Sequence, residues 1–209
     1  MLQQRKALIR NEPSQARSRK RRQRILAAAT NLLEEIGFET LTTSAIAAKA
    51  KVPVSSIYQY FANKEAVVGS ILVREMQAVR EAYDEVEEAY FRKADWRTFF
   101  DHLFSAVMDV STSERVSAEL TRATYASPDL SKLHDEHRLE VAKQLSRFIG
   151  GYGSTWSRQR LLKLSLFIYD VYLAISTHAV TQPRRHWNQV ERWRRMAMFS
   201  LLEEALGEK

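Results

Sequence analysis

Only 6 glycines and 4 prolines punctuate these 209 residues. Almost nothing in the sequence therefore forces a helix to stop. Between the breaks, apolar residues recur at the helical period. Ile25, Leu26, Ala29, Leu32, Leu33 and Ile36, for example, form a single stripe. So little punctuation disfavours sandwiches and barrels, and the fold class expected is all-α with about nine helices. The chain's length suits one large domain with a smaller appendage. The absence of cysteine excludes disulfides, thiolate metal sites and thiol catalysis. No run of 18 apolar residues occurs, so no membrane span is expected. The basic start is not followed by a signal-peptide core, because Ile25 to Ala29 soon runs into Asn31, Glu34 and Glu35. A soluble, cytoplasmic protein is the expectation.

The net charge of +7 gains meaning once located: the first 66 residues carry all of it, and the remaining 143 are balanced. Arg5, Lys6, Arg10, Arg17, Arg19, Lys20, Arg21, Arg22 and Arg24 stand against Glu12 alone. Residues 1–17, polar and holding Pro13, read as a flexible basic arm. A basic end joined to a neutral remainder is drawn to a polyanion. DNA, RNA and an anionic lipid surface all satisfy that argument, as does a merely solubilising arm.

The pattern behind the arm narrows the choice. A first helix is predicted over 18–36, ended by Gly37 with Phe38 as the apolar residue beyond the stop. Arginines in its first turns oppose the helix dipole, which nearby phosphates would explain. Thr42 or Thr43 caps a short second helix reaching Ala50, with Ile46, Ala47 and Ala50 facing inward. Pro53 opens a third helix, 54–60, in which Ile57 and then Phe61 reach the core. Ser55, Ser56, Tyr58, Gln59 and Tyr60 are assigned outward. Two short helices joined by three residues and braced by a longer one describe a helix-turn-helix. Gln59 suits an adenine edge, the two serines let a groove wall approach, and the tyrosine hydroxyls suit phosphates. Asn63 caps a further helix whose Lys64 again suits a phosphate. A small three-helix bundle with an ordinary polar surface fits the spacing equally; the arginine-rich arm favours binding.

Residues 22–68 resemble the DNA-binding domain of the TetR family of bacterial transcriptional repressors. The matching run is Arg24 to Ala29, Leu33, Gly37-Phe38, Thr42 through Ile46-Ala47-Ala50, Val52-Pro53, and Ile57-Tyr58-Gln59-Tyr60-Phe61-Ala62-Asn63-Lys64-Glu65-Ala66. The closing Tyr-x-Tyr-Phe-x-Asn-Lys-Glu is the most specific part. The resemblance implies a homodimer that reads a palindromic double-stranded DNA operator and releases it when a small-molecule effector enters the C-terminal domain. By position, Val54, Ser55, Ser56 and Gln59 match base-facing residues, and Thr43, Tyr58, Tyr60 and Lys64 match phosphate-contacting ones. Ser44 beside Thr43, with Arg19, Arg21 and Arg22 of the basic stretch, completes the expected DNA-binding set. Two residues depart from the family pattern. Lys51 and Ser55 stand where the family usually has glycine, so the turn at 51 either avoids positive φ or strains Lys51 by about 1 kcal/mol.

The domains expected are the arm (1–17), the helix-turn-helix domain (18–66) and a helical regulatory and dimerisation domain (67–209). In the last, helices are predicted over 64–92, 96–110, 114–125, 128–149, 157–181 and 186–206. The segment 161–175 is apolar nearly all round, so a partner subunit is expected to cover one side. Leu166, Tyr169, Leu173, Trp193, Phe199 and Leu202 are assigned to that four-helix interface. Phe100, Phe104, Tyr125, Phe148, Phe167, Asp170 and His178 are assigned to a ligand cavity. Asp170, a carboxylate among apolar neighbours, needs a partner: a cationic ligand group, or an Arg, Tyr or His of the protein. His134 and His137 could share a helical face, but no metal or cofactor is assigned. No phosphate-loop or dinucleotide glycine pattern and no nucleophile signature is found. No catalytic residue, and so no enzyme, is expected. An activator or ligand-independent repressor of the same fold remains an alternative, as does an RNA- or membrane-surface-binding protein.

Overall fold

A computed structural model describes residues 16–110, 114–181 and 184–207. Its helices are α1 (Ala16–Thr40), α2 (Thr43–Ala50), α3 (Val54–Tyr60), α4 (Lys64–Tyr90), α5 (Trp96–Val110), α6 (Glu114–Ala126), α7 (Pro128–Gly151), α8 (Arg158–Thr181) and α9 (Trp187–Leu206), with a 3₁₀ turn at Arg184–His186. No strand occurs among the described residues, and no helix among them is long and apolar enough to cross a membrane. All but two residues of the predicted basic arm lie outside the described residues.

The helix ends follow from local chemistry. In α1 the helical path breaks at Gly37, whose φ of 76° is open to glycine at little cost. Thr42 Oγ1 accepts from Ala45 N–H at 3.1 Å, and Asn63 Oδ1 from Ala66 N–H at 2.8 Å, so both predicted caps form. Asp95 does the same for α5 through Thr98 N–H and Thr98 Oγ1, and these bonds hold its carboxyl below the usual range. Lys51 adopts φ 53° and ψ 50°, the left-handed conformation that favours glycine. Arg24 Nη2 reaches across to the carbonyls of Ala50 (2.6 Å) and Lys51 (3.2 Å), closing the end of α2.

Two compact units share the chain: residues 1–76 with 115–132, and residues 77–114 with 133–209. The first is built on Ile25, Leu26, Leu33, Ile46, Ile57 and Phe61, all essentially inaccessible. The predicted boundary at 66/67 is thus corrected, since most of α6, expected in the regulatory domain, belongs to the N-terminal unit. There α6 buries Val116, Leu120 and Ala123, together with the Glu119 carboxylate, which accepts from Phe38 N–H at 2.9 Å. A Cβ at Gly37 would sit 2.8 Å from that carboxylate, so glycine serves the contact as well as the turn. The second unit has an aromatic core. Phe99 lies against Phe100, Phe148 and Tyr152 at centroid distances of 4.9–5.4 Å, with Leu103, Ile149, Met198 and Leu202 completing the interior.

Candidate functional site

On α3, Val54, Ser55, Tyr58 and Gln59 are exposed while Ser56, Ile57 and Tyr60 are buried. The two sets are opposite faces of one short helix, since residues three and four apart share a side. Ser56 and Tyr60 are therefore corrected. Ser56 packs beside Ile57, and the Tyr60 hydroxyl makes a 2.7 Å hydrogen bond with Ser18 Oγ, bracing α3 against α1. The outer face holds a β-branched residue, a small hydroxyl, a phenol and an amide, a set able to make apolar and hydrogen-bonding contacts with base edges. At its edge the Tyr58 hydroxyl lies 3.2 Å from Thr43 Oγ1, joining α3 to the start of α2. Ser44 is exposed next to Thr43. Two hydroxyls so close, beside a third, are arranged to grip one anionic oxygen.

Lys64, expected at a phosphate, also has contacts within its own unit. Its ammonium donates to the carbonyls of Phe38 (3.1 Å) and Glu39 (3.3 Å) and lies 4.6 Å above the Phe38 ring. It neutralises the negative end of α1 from 26 positions away, a partnership that no local pattern signals. Of the expected arginines at the start of α1, Arg19 is exposed, Arg21 is half-buried, and Arg22 lies over the Phe61 ring at 5.4 Å.

In the C-terminal unit the expected ligand residues do not gather. Phe100 and Phe148 are wholly enclosed and Phe104 nearly so, as parts of the core. Phe167 is 55% exposed and His178 is exposed. Tyr125, 83% exposed, belongs to the other unit altogether. Asp170 accepts from Arg138 at both carboxylate oxygens, Nε to Oδ1 at 2.5 Å, so its partner is an arginine of the protein. What the sequence did not flag is a set of buried polar atoms without a hydrogen-bond partner among the described residues: His137 Nδ1, Ser165 Oγ and Arg80 Nη1, the last 3.9 Å from Glu140 Oε2. The His137 ring lies 6.3 Å from that of Tyr169, whose hydroxyl bonds His134 Nε2 at 3.2 Å, and Ser165 is one turn before Tyr169 on α8. Burial, with Arg80 and His134 adding to it, pushes the His137 pKa down to about 4. A neutral imidazole, a hydroxyl and a guanidinium in this setting can serve a polar ligand atom or water.

Of the expected interface residues, Leu202 is corrected, being fully buried within its own unit. Phe199 is half-buried and packs on Trp96 and Phe104, with centroids 6.1 and 6.2 Å away. Leu166, Tyr169 and Leu173 are half-buried, while Trp193 is 57% exposed. Phe167 on α8 and Met196 on α9, the latter 60% exposed, are the large apolar side chains that sequence reasoning left out of this face. The buried Arg194 holds the two helices together by donating to Ser176 Oγ at 2.8 Å.

Comparison with known proteins places this geometry. Residues 25–71 match the family model of bacterial regulatory proteins of the tetR family. The HTH-type transcriptional regulator HbdR of Aromatoleum sp. (strain CIB) is 40% identical over 65 residues, 31% of this chain and 27% of that protein, so the match spans about a quarter of the relative. Among solved structures, a transcriptional regulator of Rhodococcus sp. Rha1 superposes with a TM-score of 0.75 at 16% identity, covering 90% of this chain and 99% of that one. The reduced form of Escherichia coli NemR gives 0.61 at 22% identity over 89% and 93%. A TetR-family regulator of Streptomyces coelicolor gives 0.58 at 24% over 89% and 99%. At these identities the structural likeness is one of fold.

Proposed function

We propose that this chain, which belongs to the TetR family of bacterial regulators, is a sequence-specific DNA-binding repressor of transcription that leaves its operator when a small molecule binds. The exposed face of α3 carries the reading: its four outward side chains are positioned by a buried face and by braces from α1, so they can enter a major groove without repacking. Val54, Ser55 and Gln59 are the base-reading residues; Thr43, Ser44 and Tyr58 hold the flanking phosphate. Arg19 and Arg21, with the basic residues before them, add sequence-independent attraction.

A second copy completes the reader. Phe167, Trp193 and Met196, with the half-buried Leu166 and Leu173, form the apolar surface through which two chains pair, and pairing sets two α3 helices roughly 34–36 Å apart or at a longer groove repeat. Effector control is supported by His137 Nδ1 and Ser165 Oγ, buried in the C-terminal unit without a hydrogen-bond partner. A ligand that satisfies them and prefers a dimer with a different spacing of the two α3 helices shifts the population away from DNA.

Selection from random duplexes tests the proposal. The wild-type chain enriches a palindrome, Gln59→Ala relaxes the preference at one position per half-site, and Thr43→Ala with Tyr58→Phe weakens all duplexes alike. Trimming residues 1–17 lowers the slope of log affinity against log salt by about 0.9 for each phosphate that the arm no longer neutralises. Enrichment of no sequence, or an unchanged preference in Gln59→Ala, defeats the assignment.

A further inference from the structure

The C-terminal unit carries a concave surface that the regulator reading leaves unused. A groove of about 780 Å³ opens where α4 and α7 end and α8 begins, a volume typical of small-molecule sites. Its floor is apolar: the Phe91 ring, Leu161 and Leu162. Around it stand four cations, Arg92, Lys143, Arg147 and Arg158, and none of the lining residues is acidic. Arg147 is held by a bidentate pair with Glu87 (2.6 and 2.5 Å), its guanidinium also lying over Phe148 at 4.7 Å. That leaves Arg92, Lys143 and Arg158, which make no ion pair among the described residues.

Two glycines shape the wall. At Gly151 a Cβ would approach Phe91 Cζ to 2.4 Å, so the ring takes its place against bare backbone. At Gly150 a Cβ would meet only Leu161 Cδ1, at an ordinary 3.5 Å, so the absence of a side chain there leaves space rather than avoiding a clash. An apolar trough with unneutralised cations on its rim favours a molecule with both characters. A bare inorganic anion would leave Phe91 and the leucines wet, and a neutral apolar molecule would leave the cations unanswered.

We infer that this groove binds a small amphipathic anion, an organic carboxylate with an acyl or aryl body, its charge near Lys143 and Arg158 and its body on Phe91, Leu161 and Leu162. The site lies within one unit and does not depend on the DNA-binding reading, so it is tested without DNA. Titration calorimetry of the full chain at low salt compares sodium octanoate, octanol and inorganic phosphate. Octanoate is expected to bind at least about tenfold more tightly than either of the others, a margin that needs both halves of the site.

Lys143→Ala with Arg158→Ala, both exposed, is expected to weaken octanoate about tenfold or more, while Gly150→Leu, which fills the space over Leu161, abolishes binding. Circular dichroism confirms that both variants keep their helix content. No heat with octanoate at millimolar concentration overturns the proposal. So does phosphate binding as tightly as octanoate, or an octanoate affinity indifferent to both variants.

Discussion

In the N-terminal unit, side chains close the backbone and brace the helices, whereas the C-terminal unit encloses polar atoms that the protein does not satisfy. Arg24 ends α2, Lys64 ends α1, Glu119 takes the Phe38 amide and Tyr60 ties α3 to Ser18. One carboxylate oxygen of Glu75, whose pKa burial raises, and Nε of Arg22, a side chain that lies over the Phe61 ring, are its exceptions. His137 Nδ1 and Ser165 Oγ have no such closure. A reading head gains from rigidity, because an α3 displaced by a fraction of an ångström no longer meets its base edges. Under the proposed function, the C-terminal unit gains from polar groups held dry and without hydrogen bonds, since a ligand that completes them recovers their desolvation cost.

The sharpest way to break this comparison is through the aromatic core. Phe99 is fully enclosed among Phe91, Phe100, Phe148 and Tyr152. Phe99→Ala is expected to destabilise the protein by about 3–5 kcal/mol, the loss typical of a buried phenyl group plus its cavity. Hydrogen exchange should show α5 and α7 losing protection while α1 to α3, built on a separate core, keep theirs. Loss of protection throughout would mean that the units do not stand apart.

Next in size is the response to acid. The folded His137 pKa of about 4 lies below the 6.5 of an ordinary histidine, so the unfolded chain takes up its proton first. Its contribution is complete above pH 6.5 and is lost as pH falls towards 4, by up to about 3 kcal/mol. Burial lowers the His134 pKa too, and adds to the same slope. His137→Gln should flatten that part of the curve of stability against pH in denaturant titrations. A retained slope would show that the imidazole is not held dry.

Glu119 tests the other side of the comparison. Glu119→Ala leaves the Phe38 amide buried without an acceptor, a cost of about 1–3 kcal/mol. The expected signature is faster exchange at Phe38 and weaker operator binding, with the C-terminal core unchanged. An exchange rate at Phe38 equal to wild type would remove the closure argument for this unit.

How far the sequence foretold these features depended on distance along the chain. Helix ends were legible because their causes are local: Thr42, Asn63 and Asp95 cap within three residues, and Gly37 breaks the path of α1 where the stripe ends. The faces of α3 were half legible, since Ile57 fixes the inward side but Ser56 and Tyr60 carry hydroxyls that composition assigns to water. Partners were not legible. Glu119 meets Phe38 across 81 positions, and nothing in α6's periodicity says which unit it joins. In the C-terminal unit, aromatic residues signalled a core and were read as a cavity lining, while Arg80, His137 and Ser165 share no spacing that a single helix would reveal.

The smallest effect falls on the turn between α2 and α3. Lys51 holds φ 53°, where its Cβ crowds the following carbonyl. Lys51→Gly relieves that strain, offset in part by the greater freedom glycine gives the unfolded chain, so stability should rise by about 0.5–1 kcal/mol. The Arg24 bonds go to the carbonyls of Ala50 and Lys51, which glycine retains, so the recognition helix should keep its position and the duplex preference its sequence. Lys51→Pro, whose ring cannot adopt this φ and which removes the amide bonded to Ala48 O, should destabilise instead. Thermal unfolding of the pair separates backbone strain from side-chain chemistry at this position. If glycine and proline moved the midpoint in the same direction, the left-handed turn would not be what holds α3 at its angle.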